Sequence, residues 1–133
     1  MTSKVTYLGG LRTSMQHLQS GTTIYTDAPT DNHGKGEKFS PTDLCASSLA
    51  ACMITMMGIK CDQLEINMEG TTAEVLKIMA SDPRRISGID ILLKFKGIFD
   101  EKQKKVLIHT AETCPVFYSL HPDIKVQLSY EWE

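Results

Sequence analysis

An α+β fold is predicted by three features of this 133-residue chain: short alternating segments before residue 27, one long apolar helix after residue 40, and later alternating runs separated by a capped helix. Residues 4–8, 12–19 and 22–26 alternate as strands, and Gly9-Gly10 and Ser20-Gly21 between them suit tight hairpin turns, so an antiparallel meander is expected at the N-terminus. In residues 27–39, Pro29, Asn32, Gly34 and Gly36 predict a loop without regular structure. Ser40 as N-cap, Pro41 at the first helical position and Asp43 at the third then open a helix, because each meets an orphan amide or the positive helix end. Apolar and small residues cover nearly the whole circumference from Leu44 to Met57, and Gly58 is taken as the exit. Such a helix needs sheet or a second subunit on most sides, and a single five-stranded sheet would cover only one.

Beyond Gly58, residues 63–78 alternate around Leu64, Ile66 and Met68 with a bend expected at Gly70, and residues 86–95 alternate around Ile89, Ile91, Leu93 and Phe95. Long paired strands follow. Asp100 with Gln103 forms a capping box for a helix on which Leu107, Ala111 and Cys114 fall at i, i+4 and i+7, turning Cys114 inward. Pro115 ends that helix or starts a short one through Leu120, and Ile124, Val126, Leu128, Tyr130 and Trp132 mark a last strand.

The length fits one domain over residues 1–133 that buries its core without metal or disulfide staples. Four cysteines in such a chain are expected as reduced thiols. The N-terminal residues lack the apolar run of a secretory signal, and the helix around Cys52, ending at Gly58, is too short to cross ~30 Å of hydrocarbon, so a cytoplasmic protein without membrane contact is expected. The net charge of -2 and the absence of aromatic residues among the lysines of 101–105 disfavour nucleic-acid binding.

The chemistry depends on which thiols act together. Cys45 and Cys52, two helical turns apart, lie ~10 Å from one another and cannot be bridged without unwinding. Nothing in the pattern brings Cys61 to the Cys52 face, which leaves Cys114 as the better candidate. Cys52 is too far from its helix N-terminus for the macrodipole to act, so a thiolate there requires a cation. Arginine suits this role, since it stays charged when desolvated and its fork can hold both a thiolate and a peroxide oxygen. Arg12 follows Gly9-Gly10, whereas Arg84 and Arg85 read as a solvated turn. On pattern alone a cysteine in an apolar helix is a packing residue, and Met53, Met56 and Met57 are core filler.

Ser-Pro-Thr-Asp-Leu leading to Ala-Ala-Cys52-Met, then Cys114-Pro, then Asp-Ile-Lys-Val on the last strand, resembles the OsmC/Ohr family of osmotically inducible and organic hydroperoxide resistance proteins. The similarity runs nearly end to end. It implies antiparallel sheets wrapped around central helices in an intertwined homodimer, Cys52 as the peroxidatic thiol, Cys114 as the resolving thiol, and Arg12 in the place of the family's arginine after the first strand. The peroxidase branches usually carry glutamate directly after the proline. Here Thr42 stands there and the carboxylate comes at Asp43, a pattern more like the OsmC-like branches.

The implied reaction is reduction of an organic hydroperoxide through a Cys52 sulfenic acid and a Cys52–Cys114 disulfide, recycled by a dithiol reductant, lipoyl-type in the family. Leu49, Met53, Met56 and Phe117 are expected to line an apolar entrance. The alternative is a redox sensor or small-ligand binder on the same fold. No cofactor is expected: His17, His33, His109 and His121 show no zinc spacing, and Gly-rich phosphate loops and Ser/His/Asp patterns do not occur.

Overall fold

The computed structural model describes all 133 residues. Its order is β1 (Ser3–Gly9), β2 (Arg12–His17), β3 (Thr23–Asp27), α1 (Pro41–Gln63), β4 (Thr72–Ala80), β5 (Arg85–Phe95), α2 (Glu101–Glu112), α3 (Pro115–Ser119) and β6 (Lys125–Trp132), an α+β fold. The chain clusters into two compact units, Met1–Cys45 and Ala46–Glu133, and α1 runs from one into the other.

In the first unit β1, β2 and β3 form the antiparallel meander, with β2 ending at His17 rather than at residue 19. All seven residues of β1 are exposed, Val5 and Tyr7 among them. The loop after β3 contains a short 3-10 turn, Thr30–Asn32, where no regular structure was expected. Gly34 is required there: a Cβ at that position would sit 1.7 Å from the Ala28 carbonyl oxygen.

The start of α1 is the expected one. Asp43 N donates to Ser40 Oγ at 3.0 Å and Ser40 N donates to Asp43 Oδ2 at 2.9 Å, a reciprocal box that satisfies two orphan amides. Its end differs from the expectation. The helix passes through Gly58 to Gln63 and closes where Ile66 N donates to Cys61 O and Glu65 N to Asp62 O, with Glu65 at φ 55. This is a Schellman closure with glutamate in the left-handed position that glycine ordinarily takes. Residues 64–71 therefore connect α1 to the sheet, and the strand expected over 63–78 starts only at Thr72, with β4. At 23 residues α1 is also long enough to span a bilayer, against the shorter length expected. Six of its residues, from Ala46 to Cys61, are buried as core instead. Ser48, Ala51, Thr55 and Ile59 remain exposed along one side, so the helix is not enclosed all round within this chain.

Gly58 lies mid-helix with nothing within 4 Å of a built Cβ. Gly58→Ala is expected to raise unfolding free energy by about 0.5–1 kcal/mol, because alanine loses less backbone entropy in a helix. Urea unfolding followed by circular dichroism measures it.

The second unit holds a three-stranded sheet in the order β4-β5-β6, so each unit carries a three-stranded sheet. β4 and β5 pair antiparallel, but β5 and β6 pair parallel, which corrects the expectation of antiparallel sheets throughout. The connection explains it: a parallel neighbour needs a crossover, and α2 and α3 supply one. Ile89, Ile91, Leu93 and Phe95 of β5 are buried, as are Leu107 and Ala111 of α2 and Leu49, Met53 and Met57 of α1. Each such large apolar side chain contributes roughly 1.5–3 kcal/mol on burial. Tyr130 Oη of β6 donates to Glu112 Oε1 at 3.3 Å, and burial pushes that phenol above its usual range.

Candidate active site

Cys52 occupies the middle of α1 and is half-buried. Cys114 is buried with no exposed surface, as expected, but it lies between α2 and α3 rather than on the helix with Leu107 and Ala111. The fold brings the two thiols into hydrogen-bonding contact within the second unit, and neither is in a disulfide. Cys114 has a second task as N-cap of α3: its backbone is extended, Pro115 follows at the first helical position, and its Sγ accepts from Phe117 N at 3.4 Å. Burial pushes the Cys114 thiol up. The hydrogen bond and charge of Cys52 act in the same direction, while the amides of Phe117 and Val116 oppose them. Burial thus favours the protonated form of Cys114.

Cys45 is half-buried in the first unit. Cys61 is buried inside α1 rather than beyond its exit, and burial, with the charge of Asp62, pushes that thiol up. Among the expected entrance residues Met56 and Phe117 are half-buried, but Leu49 and Met53 are fully buried and have no surface with which to line an opening. Helical spacing could not say how deep that side of α1 lies.

Arg12 and Asp43 belong to the first unit. Asp43 is held at the helix start in the box with Ser40. Arg12 opens β2 directly opposite Asp27, the last residue of β3, and grips it with two bonds, Nε to Oδ1 at 2.6 Å and Nη2 to Oδ2 at 2.8 Å. Glu37 stands 3.7 Å from the same Nη2. Asp27 is the residue that sequence reasoning missed; the signal was the hairpin register, which sets Arg12 against it. The hydrogen bond from Arg12 holds the Asp27 carboxyl below the usual carboxylate range, helped by the backbone amides of Glu37 and Lys38 and opposed by desolvation. Asp27 raises the Arg12 guanidinium in turn. A depressed carboxylate contributes stability above its unfolded pKa and loses it as pH falls through the folded value. Asp27→Asn is therefore expected to melt below the parent at pH 7, the gap closing as pH drops below the free aspartate value of about 3.9. Thermal melts from pH 7 to pH 3 measure the gap.

The family model described as OsmC-like protein matches residues 34–129. The chain belongs to this family. A protein of Psychrobacter arcticus, named for the osmotic stress and detoxification response, is 56% identical, with 98% of this chain and 96% of that one covered and a TM-score of 0.96. An organic hydroperoxide resistance protein of Legionella pneumophila shares the fold at 20% identity and TM-score 0.72, covering 98% of this chain and 97% of its own. The organic hydroperoxide resistance protein OhrB of Bacillus subtilis does so at 20% identity and TM-score 0.68, covering 98% of each chain. None of the curated proteins matches.

Proposed function

We propose that this protein is a thiol peroxidase for organic hydroperoxides. The observation that carries the reading is the contact between two thiols of unequal exposure, Cys52 within reach of solvent and Cys114 wholly enclosed. A peroxidatic sulfur must meet its substrate, and a resolving sulfur must meet only the first one. Family membership supports a redox or peroxide-related role.

In this reading the Cys52 thiolate attacks the terminal peroxide oxygen, the O–O bond breaks, and the alkoxide leaves as an alcohol after taking a proton. Cys52 is then a sulfenic acid. Cys114 attacks its sulfur, the S–O bond breaks, and the departing hydroxide takes the Cys114 proton as water, leaving a Cys52–Cys114 disulfide. An external dithiol restores both thiols by two exchanges and is itself oxidised to a disulfide. Arg12 is assigned the stabilisation of the alkoxide on its match to the family arginine, with Asp27 and Glu37 fixing its fork, and Asp43 is assigned the helix start that carries Cys52. The protein is proposed to act as a cytoplasmic homodimer, without nucleic-acid or membrane partners. Each unit offers apolar surface that a second copy would cover: the exposed Val5 and Tyr7 of β1 in the first, and Ala51 and Ile59 of α1 in the second. Four cysteines, none of them in a disulfide, suit a reducing compartment.

Peptide mapping after one equivalent of cumene hydroperoxide tests the chemistry. The expected product is a single Cys52–Cys114 disulfide peptide. Thiols that stay reduced, or a disulfide involving Cys45 or Cys61, would instead favour a sensor or ligand binder.

A further inference from the structure

Within the second unit an open groove of about 500 Å³ runs between the later turns of α1 and the outward side of α2. That volume falls inside the range of small-molecule sites. Met56 and Val106, both half-buried, give it an apolar floor, and Lys60 from α1 and Lys105 from α2 stand at its flanks. The two threonines in the groove add no donor. Thr110 Oγ1 donates to the Val106 carbonyl at 2.8 Å and Thr113 Oγ1 donates to the His109 carbonyl at 2.8 Å, so both hydroxyl protons are committed to the helix backbone. No carboxylate lines the groove. Lys94, Lys96 and Lys104 each pair with a glutamate elsewhere, whereas Lys60 and Lys105 do not. Two uncompensated ammonium groups beside an apolar floor are complementary to a ligand with one anionic end and a hydrocarbon body.

We propose that this groove binds a medium-chain aliphatic carboxylate, its head between the Lys60 and Lys105 ammonium groups and its chain over Met56 and Val106. A neutral alcohol of the same length would gain the floor but leave both lysines uncompensated. An aliphatic cation would meet two like charges. The inference stands apart from the peroxidase reading, because it uses neither thiol and its test contains no peroxide.

Calorimetric titration of the reduced protein with sodium octanoate, 1-octanol and octylammonium decides it. The expected result is saturable one-site binding of octanoate, roughly tenfold or more tighter than octanol, with no binding of octylammonium. Lys60→Glu and Lys105→Glu are each expected to weaken octanoate roughly tenfold or more, while Lys102→Glu, on the same helix but outside the groove, leaves it unchanged. The double variant Lys60→Glu/Lys105→Glu should exchange preference and take octylammonium, which a merely unfolded protein could not do. Equal affinity for octanoate and octanol, or octanoate binding indifferent to both groove reversals, would overturn the proposal.

Discussion

Cys52→Ser is expected to reduce hydroperoxide consumption by roughly a thousandfold or more, toward the uncatalysed rate, because a serine hydroxyl is neither ionised at neutral pH nor able to form the sulfenic acid. Cys114→Ser should behave differently. Its Cys52 still reduces one equivalent of cumene hydroperoxide at close to the parent rate, since Cys114 is enclosed and touches no substrate in the first step. The sulfenic acid then has no thiol to condense with. Dimedone should trap it, and excess peroxide should carry it to sulfinic acid, whereas the parent stops at the disulfide and is protected from further oxidation. Intact-mass spectra of parent and variants after one and ten equivalents of peroxide separate these species. Cys45→Ser and Cys61→Ser are the controls and should follow the parent. A Cys52→Ser protein that still consumed peroxide at the parent rate would remove the enzyme reading; a Cys114→Ser protein that resisted over-oxidation would remove Cys114 from it.

The parts of this site that were legible in the sequence are those written in local chemistry. Ser40, Pro41 and Asp43 announced the start of α1, Asp100 and Gln103 that of α2, and both boxes close as expected. Helical periodicity put Cys114 inward on α2; it is buried, but α2 stops at Glu112 and the residue turns inward from the junction before α3. The stop of α1 did not follow, because the usual punctuation pointed elsewhere. Gly58 is tolerated inside a helix already carried by Leu49, Met53 and Met57, while Glu65 accepts the left-handed conformation that its side chain does not advertise. The strand that began too early at residue 63 is the same error seen from its other end. Direction in the second sheet was illegible for a different reason: alternation in β5 and β6 is identical whether they run parallel or antiparallel, and only the crossover through α2 and α3 decides.

Register was the remaining blind spot, and it matters most at Arg12. The residue was singled out as a cation for a thiolate, yet its immediate partner is Asp27, which sits opposite only because of how β2 and β3 align. An arginine with its fork filled by a carboxylate is oriented rather than free. Asp43, one residue past the place of the family's glutamate, has its side chain at the helix N-terminus, as its third helical position predicted. Gly34 belongs to the same arrangement, since its close approach to Ala28 shapes the loop whose Glu37 and Lys38 amides support Asp27.

Phe95→Ala is expected to lower unfolding free energy by about 3–5 kcal/mol, a large share of the roughly 5–15 kcal/mol that holds an ordinary domain together. Phe95 ends β5, is 4% exposed, and pairs in register with Trp132 of β6. The two rings stack with centroids 3.9 Å apart and planes 14° from parallel. Phe99 meets both edge-on, at 5.9 Å from Phe95 and 5.5 Å from Trp132, and Lys104 Nζ lies 5.4 Å over the indole. The cluster therefore binds the parallel strand pair to the segment that opens α2, the helix that delivers Cys114. Truncating Phe95 removes the shared member of three ring contacts and leaves a hole bounded by rings that cannot collapse far without breaking the β5–β6 register. Phe95→Leu keeps most of the volume and should lose about 1.5 kcal/mol or less. Urea unfolding at neutral pH measures both, and a Phe95→Ala loss no greater than that of Phe95→Leu would mean that the aromatic stack is a surface ornament of the sheet and not part of its core.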